Sequence, residues 1–136
     1  MLIVAAYQQI THDWWEDRRT GFLLYVSPAV IQEASAGDEN AAQKRLTILK
    51  PIPILELNEM ILTVAELLLS EKIVPGKAKE DALYIAIAAF HGMDYLLTWN
   101  YKHIANAEMR NKIIDVIQSQ GYECPVICTP EELMGE

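Results

Sequence analysis

The sequence predicts an α/β domain, a three-layer α/β/α sandwich with a mainly parallel sheet, and three observations carry that prediction. Short apolar runs at 22–27, 53–57, 95–99 and 125–129 lack polar alternation, as strands buried on both faces do. Between them lie longer segments that are apolar at three- and four-residue spacing, or apolar almost throughout, as helices are. The two kinds of segment alternate, which is the signature of strand–helix–strand crossovers beneath covering helices.

Taken in order, Ile3, Tyr7, Ile10 and Trp14 fall at i, i+4, i+7 and i+11, which predicts an amphipathic helix over 2–19. FLLYVS, bounded by Gly21 and Pro28, predicts a strand at 22–27. Pro28 suits the first turn of a helix, PAVIQEASA, which Gly37 ends. Asp38 then caps a helix reaching Leu49. PILEL (53–57) is the next strand, and Asn58 caps a helix to Leu69 with Ile61, Val64, Ala65 and Leu68 along one side. After Pro75-Gly76, residues 77–90 read as a helix whose stretch ALYIAIAAF is apolar around its circumference, so most of its sides are buried. Gly92 stops it, YLLTW (95–99) is a buried strand, 101–119 returns to helix, and Gly121 precedes the last strand, PVICT (125–129). Thr129 and Pro130 open a short closing helix.

With 136 residues, 51% hydrophobic and 22% charged, the chain has the size and balance of a single folded domain. No apolar run reaches the roughly 18 residues of a membrane span, and MLIVAAYQQ has neither a basic n-region nor a cleavage site. A soluble cytoplasmic protein without membrane association is therefore expected. The net charge of −8 argues against coating long nucleic acid by charge alone. It is compatible with carboxylates gathered around cations, provided metal and local Lys or Arg offset phosphate repulsion, and it leaves room for a basic partner. Cys124 and Cys128 are four apart in CPVIC; with that segment extended as a strand they lie on one face and too distant for a disulfide, with no further Cys or His close by for zinc. They read as small core residues in a reducing compartment. There is no P-loop and no GxGxxG, which disfavours a nucleotide-cofactor enzyme.

In parallel sheets ligands gather beyond the carboxyl ends of the strands. Four polar residues stand in that part of the pattern: Glu33 in the helix after FLLYVS, Asp81 at the head of the most apolar helix, and Thr98 and Asn100 at the end of YLLTW. A carboxylate entering a buried helix is costly unless paired, hydrogen-bonded or bound to a cation. Asp81 also suits the macrodipole of a first turn, and Glu33 a solvated helix face. Lys102 and His103 follow Asn100 closely enough to meet a phosphate, or simply start a solvated helix. Trp14 and Trp15 suit core or subunit packing better than base stacking.

VSPAVIQEA, EDALYIAIAA and DYLLTWN, in this order, resemble the signature of the PIN-domain superfamily, including VapC-type toxin ribonucleases; DALYIAIAAFHGMDYLLTWNYKHIAN is the most specific part. The resemblance implies a metal-dependent ribonuclease acting on single-stranded RNA, with a homo-oligomer or an antitoxin complex as its usual state. Glu33 and Asp81 then match metal-ligating carboxylates for Mg²⁺ or Mn²⁺. Asn100 stands where many relatives have Asp, Thr98 where a hydroxyl neighbours the site, and Lys102 and His103 where substrate phosphate would lie. Such domains begin with a central strand ending in an acid and then Thr or Ser. Here Met1 reads as already inside the following helix, so that strand and its acid are expected to be missing, through a misplaced start or a degenerate form. A truncated domain of this kind would be a weak or inactive ribonuclease, would bind its metal weakly, and would self-associate to fill the gap. The rival is a non-catalytic interaction protein built on the same scaffold.

Overall fold

The computed structural model describes residues 1–3, 16, 19–71, 79–98, 107–128 and 132. Its sheet is organised around two residues near the start of the chain. β1 (Leu2–Ile3) has no solvent exposure and pairs in parallel with β2 (Tyr95–Leu97), Leu2 opposite Leu96 and Ile3 opposite Leu97. β2 pairs in parallel with β3 (Val126–Cys128), Leu96 opposite Ile127. On the other side of β1, the Ile3 amide donates to the Tyr25 carbonyl and the Tyr25 amide to the Met1 carbonyl, both at 2.9 Å. The Val26 amide in turn donates to the Pro53 carbonyl at 3.0 Å, and the Leu55 amide to the Val26 carbonyl at 2.8 Å. Across the sheet the lines run Ile54, Tyr25–Val26, β1, β2, β3, all parallel.

This corrects the expectation for the amino-terminal segment. Leu2 and Ile3 are strand, not helix, and they occupy the middle of the sheet, so the expected gap is not there. The reason is burial on both faces: two adjacent side chains without solvent exposure suit a central strand, whereas an amphipathic helix would leave one of them outward. The self-association argued from an unfilled gap loses its basis with it. Of the remainder of the expected helix, Glu16 is helical and Arg19 is the start of a 3-10 turn (Arg19–Gly21), while the rest, with Trp14 and Trp15, lies outside the described residues. The expected strands at 22–27 and 53–57 are reduced to single bridges, because only Tyr25, Val26 and Ile54 align with a neighbour.

The helices follow their caps. α1 (Pro28–Ala34) has proline in its first turn, and the Ser27 hydroxyl accepts from the Val30 amide at 3.3 Å. α2 (Glu39–Leu49) is capped by Asp38, whose Oδ2 accepts from the Ala41 amide at 3.0 Å. Arg45 on α2 reaches back to the Ala34 carbonyl at 3.0 Å and the Ala36 carbonyl at 2.6 Å, tying α2 to the end of α1. α3 (Glu59–Ser70) is capped by Asn58 and buries Ile61, Val64, Ala65 and Leu68. α4 (Lys79–Phe90) buries Ala82 and every residue from Tyr84 to Ala89, as its all-round apolarity requires. It packs on α3 and β2. Gly92 then turns the chain with φ +70°, a left-handed conformation in which a Cβ is strained, and the Met93 amide closes the helix on the Ala88 carbonyl at 2.9 Å. α5 (Ala107–Ser119) packs on α3 and leads through Gly121 into β3. None of the helices among the described residues is long and apolar enough to cross a membrane.

Candidate acidic site between two helices

The two lines that flank β1 end in buried hydroxyl residues. Ser27 follows Val26 and Thr98 follows Leu97, with exposures of 0% and 3%, so both lie at the carboxyl end of the parallel sheet. The Ser27 hydroxyl is occupied in capping α1. The Thr98 amide extends the β2–β3 pairing by donating to the Cys128 carbonyl at 2.9 Å. The capping bond of Ser27 thus starts the helix that carries Glu33, one and a half turns further on.

Glu33 is solvent-exposed as a residue, yet its carboxyl end turns toward α4. The Tyr84 hydroxyl donates to Glu33 Oε1 at 3.2 Å, across fifty-one positions of sequence. Glu80 and Asp81, in the acidic first turn of α4, complete the group. Tyr84 lies four residues after Glu80 and three after Asp81, so all three side chains belong to one side of that turn. Asp81 is half-buried and Tyr84 is 4% exposed.

The electrostatics follow from this crowding. Partial burial of the carboxyl raises the Glu33 pKa above its ordinary 4.5, the adjacent Glu80 carboxyl and the Asp81 charge raise it further, and only the Tyr84 hydrogen bond lowers it. Burial, then the negative charge of Glu33, pushes the Tyr84 phenol well above its usual value, so it remains a proton donor at any ordinary pH. A carboxyl with a raised pKa among other carboxylates is a place where a proton or a hard cation relieves repulsion.

Of the residues singled out in the sequence, Glu33 and Asp81 are brought into electrostatic reach of one another. Thr98 is placed at the carboxyl end of β2. Asn100, Lys102 and His103 lie outside the described residues. Glu80 and Tyr84 were not anticipated; the signal for them was the spacing of three and four from Asp81 and Glu80 on a helix already predicted. The sequence after β1 reads Val4-Ala5-Ala6-Tyr7 and offers no acid before Asp13. Among the described residues no three His, Cys, Asp or Glu side chains are arranged as a ready-made metal cage. The donor chemistry does suit a hydrated Mg²⁺ or Mn²⁺, which binds through one or two carboxylates and keeps several waters. Cys124 precedes β3 and Cys128 ends it; both are free thiols, and burial raises their pKa to about 11 and about 12.

No protein-family model matches this chain, and no significant match is found among curated proteins or solved structures.

Proposed function

We propose that this chain is a PIN-like domain related to toxin–antitoxin ribonucleases, a three-layer α/β/α sandwich that retains a weak divalent-cation site and has weak or no nuclease activity. The observation that carries the reading is the convergence of Glu33, from the crossover helix α1, on the acidic first turn of α4, with Tyr84 joining the two. The parallel order of the sheet, with β1 at its centre, supports it. Glu33 and Asp81 are the ligands in this reading, with Asn100 as a neutral ligand or water-positioner, Thr98 as a neighbouring hydroxyl, and Lys102 and His103 meeting the phosphates of single-stranded RNA. A bound Mg²⁺ or Mn²⁺ would lower the pKa of a coordinated water and neutralise charge on the scissile phosphate. The apolar Val4-Ala5-Ala6 after β1, in place of an acid and a hydroxyl, is the reason for weak binding and low activity.

A second reading, a non-catalytic interaction protein, is favoured by the apolar side chains exposed along 57–62: Leu57 at 42%, Met60 at 57% and Leu62 at 47%. A second copy or an antitoxin-like helix would cover them. Two measurements separate the readings. Calorimetry with Mn²⁺ should show millimolar-range binding that Asp81→Asn weakens by about tenfold or more, by the magnitude typical of disturbed metal shells. Equal affinity in the two proteins refutes the cation site. Cleavage of a single-stranded RNA probe that is present in the parent and lost in Asp81→Asn supports the nuclease; no cleavage, with a dimer by light scattering at micromolar concentration, supports the interaction protein.

A further inference from the structure

We propose that Tyr84 is a positioning residue of this site, a donor fixed in the core that holds the Glu33 carboxylate against the first turn of α4. The inference rests on the cation-site reading above. Its basis is a contrast between the two partners. Glu33 is a long side chain on a seven-residue helix, exposed to solvent and faced by the like charges of Glu80 and Asp81. Left alone, such a carboxylate swings outward, because solvent and repulsion favour the same direction. Tyr84 is the opposite. Its ring belongs to the hydrophobic core cluster, 4% exposed, on the most completely buried helix among the described residues. Its hydroxyl reaches Glu33 Oε1 at 3.2 Å, a neutral donor that favours the charged carboxylate, whereas the Glu80 carboxyl that Glu33 also meets favours the protonated form.

The hydrogen bond uses one of about four acceptor sites on the two carboxylate oxygens, so lone pairs remain for a cation. A phenol also cannot compete as a ligand with a carboxylate for Mg²⁺ or Mn²⁺ while it keeps its proton. Tyr84 therefore orders Glu33 without occupying the site, and reduces the entropy lost when a cation binds.

The test is a double-mutant cycle on Mn²⁺ affinity, read by the electron paramagnetic resonance signal of free Mn²⁺, with parent, Tyr84→Phe, Glu33→Gln and the double variant. Tyr84→Phe keeps the ring, and urea unfolding of each variant checks that the fold persists. The expected result is a loss of about fivefold on Tyr84→Phe in the parent, the size of one ordinary net hydrogen bond, and no loss in the Glu33→Gln background. A merely structural role would weaken both backgrounds alike, and that result overturns the proposal. So does Tyr84→Phe binding Mn²⁺ as the parent does. A parent chain that binds no Mn²⁺ overturns the cation-site reading, and the positioning role falls with it.

Discussion

Replacing Leu2 with alanine tests the centre of the sheet. Leu2 has 0% exposure and is paired on both sides, with Leu96 in β2 and with Tyr25. Truncation removes three carbons, about 2.4 kcal/mol at roughly 0.8 kcal/mol per methylene, before any cavity forms. A central strand cannot move inward to refill the space without breaking its ladders, so the cavity adds to this, and the total is about 3–4 kcal/mol. That is a large part of a typical domain stability of about 5–15 kcal/mol, and lowers Tm by about 10 °C for a chain of this size. Leu23→Ala is the control: Leu23 is 78% exposed, and the change should stay within about 0.5 kcal/mol. Urea unfolding followed by circular dichroism measures both. On an amphipathic helix with Ile3, Tyr7, Ile10 and Trp14 inward, Leu2 falls outside the apolar stripe. A Leu2→Ala loss as small as that of Leu23→Ala would therefore refute the central strand.

Two further outcomes follow from the titrating groups. The folded-state pKa of Glu33 lies above its ordinary 4.5, so the folded chain holds this proton more tightly than the unfolded one. The associated stability is present below about pH 4.5 and lost as pH rises through the folded value. Glu33→Gln should accordingly stabilise the protein at pH 7 by a few tenths of a kcal/mol, small because solvent screens an exposed group, and the gain should vanish near pH 4. A gain of equal size at both pH values would contradict the repulsion argument in urea titrations. The thiols are the second case. With pKa values of about 11 and about 12, Cys124 and Cys128 should react with a disulfide reagent at pH 8 at least about a hundredfold more slowly in the folded chain than in urea. Equal rates would mean that the end of β3 is not buried as described.

Much of the helical framework was legible because it is written locally. Asp38, Asn58 and the Ser27-Pro28 pair cap their helices through contacts three residues away, and Gly92 and Gly121 take the positive φ that ends a helix. The burial of α4 could be read from its lack of any polar side. Asp81 was marked because a charge heads an apolar helix, and Glu33 because it follows a predicted strand at the end of the sheet where ligands gather.

The tertiary structure decided what local patterns leave degenerate. Ile3, Tyr7, Ile10 and Trp14 fit a helical stripe, yet Leu2 and Ile3 become strand because β2 and Tyr25 supply hydrogen-bonding partners on both sides, and partners distant in sequence leave no trace in spacing. The strand runs at 22–27 and 53–57 shrink to single bridges for a related reason: apolar character reports burial, while ladder length depends on how neighbouring lines align. The meeting of Glu33 with Tyr84 belongs here too. Each residue is ordinary in its own helix, and only the tertiary fold sets a buried phenol 3.2 Å from an exposed carboxylate.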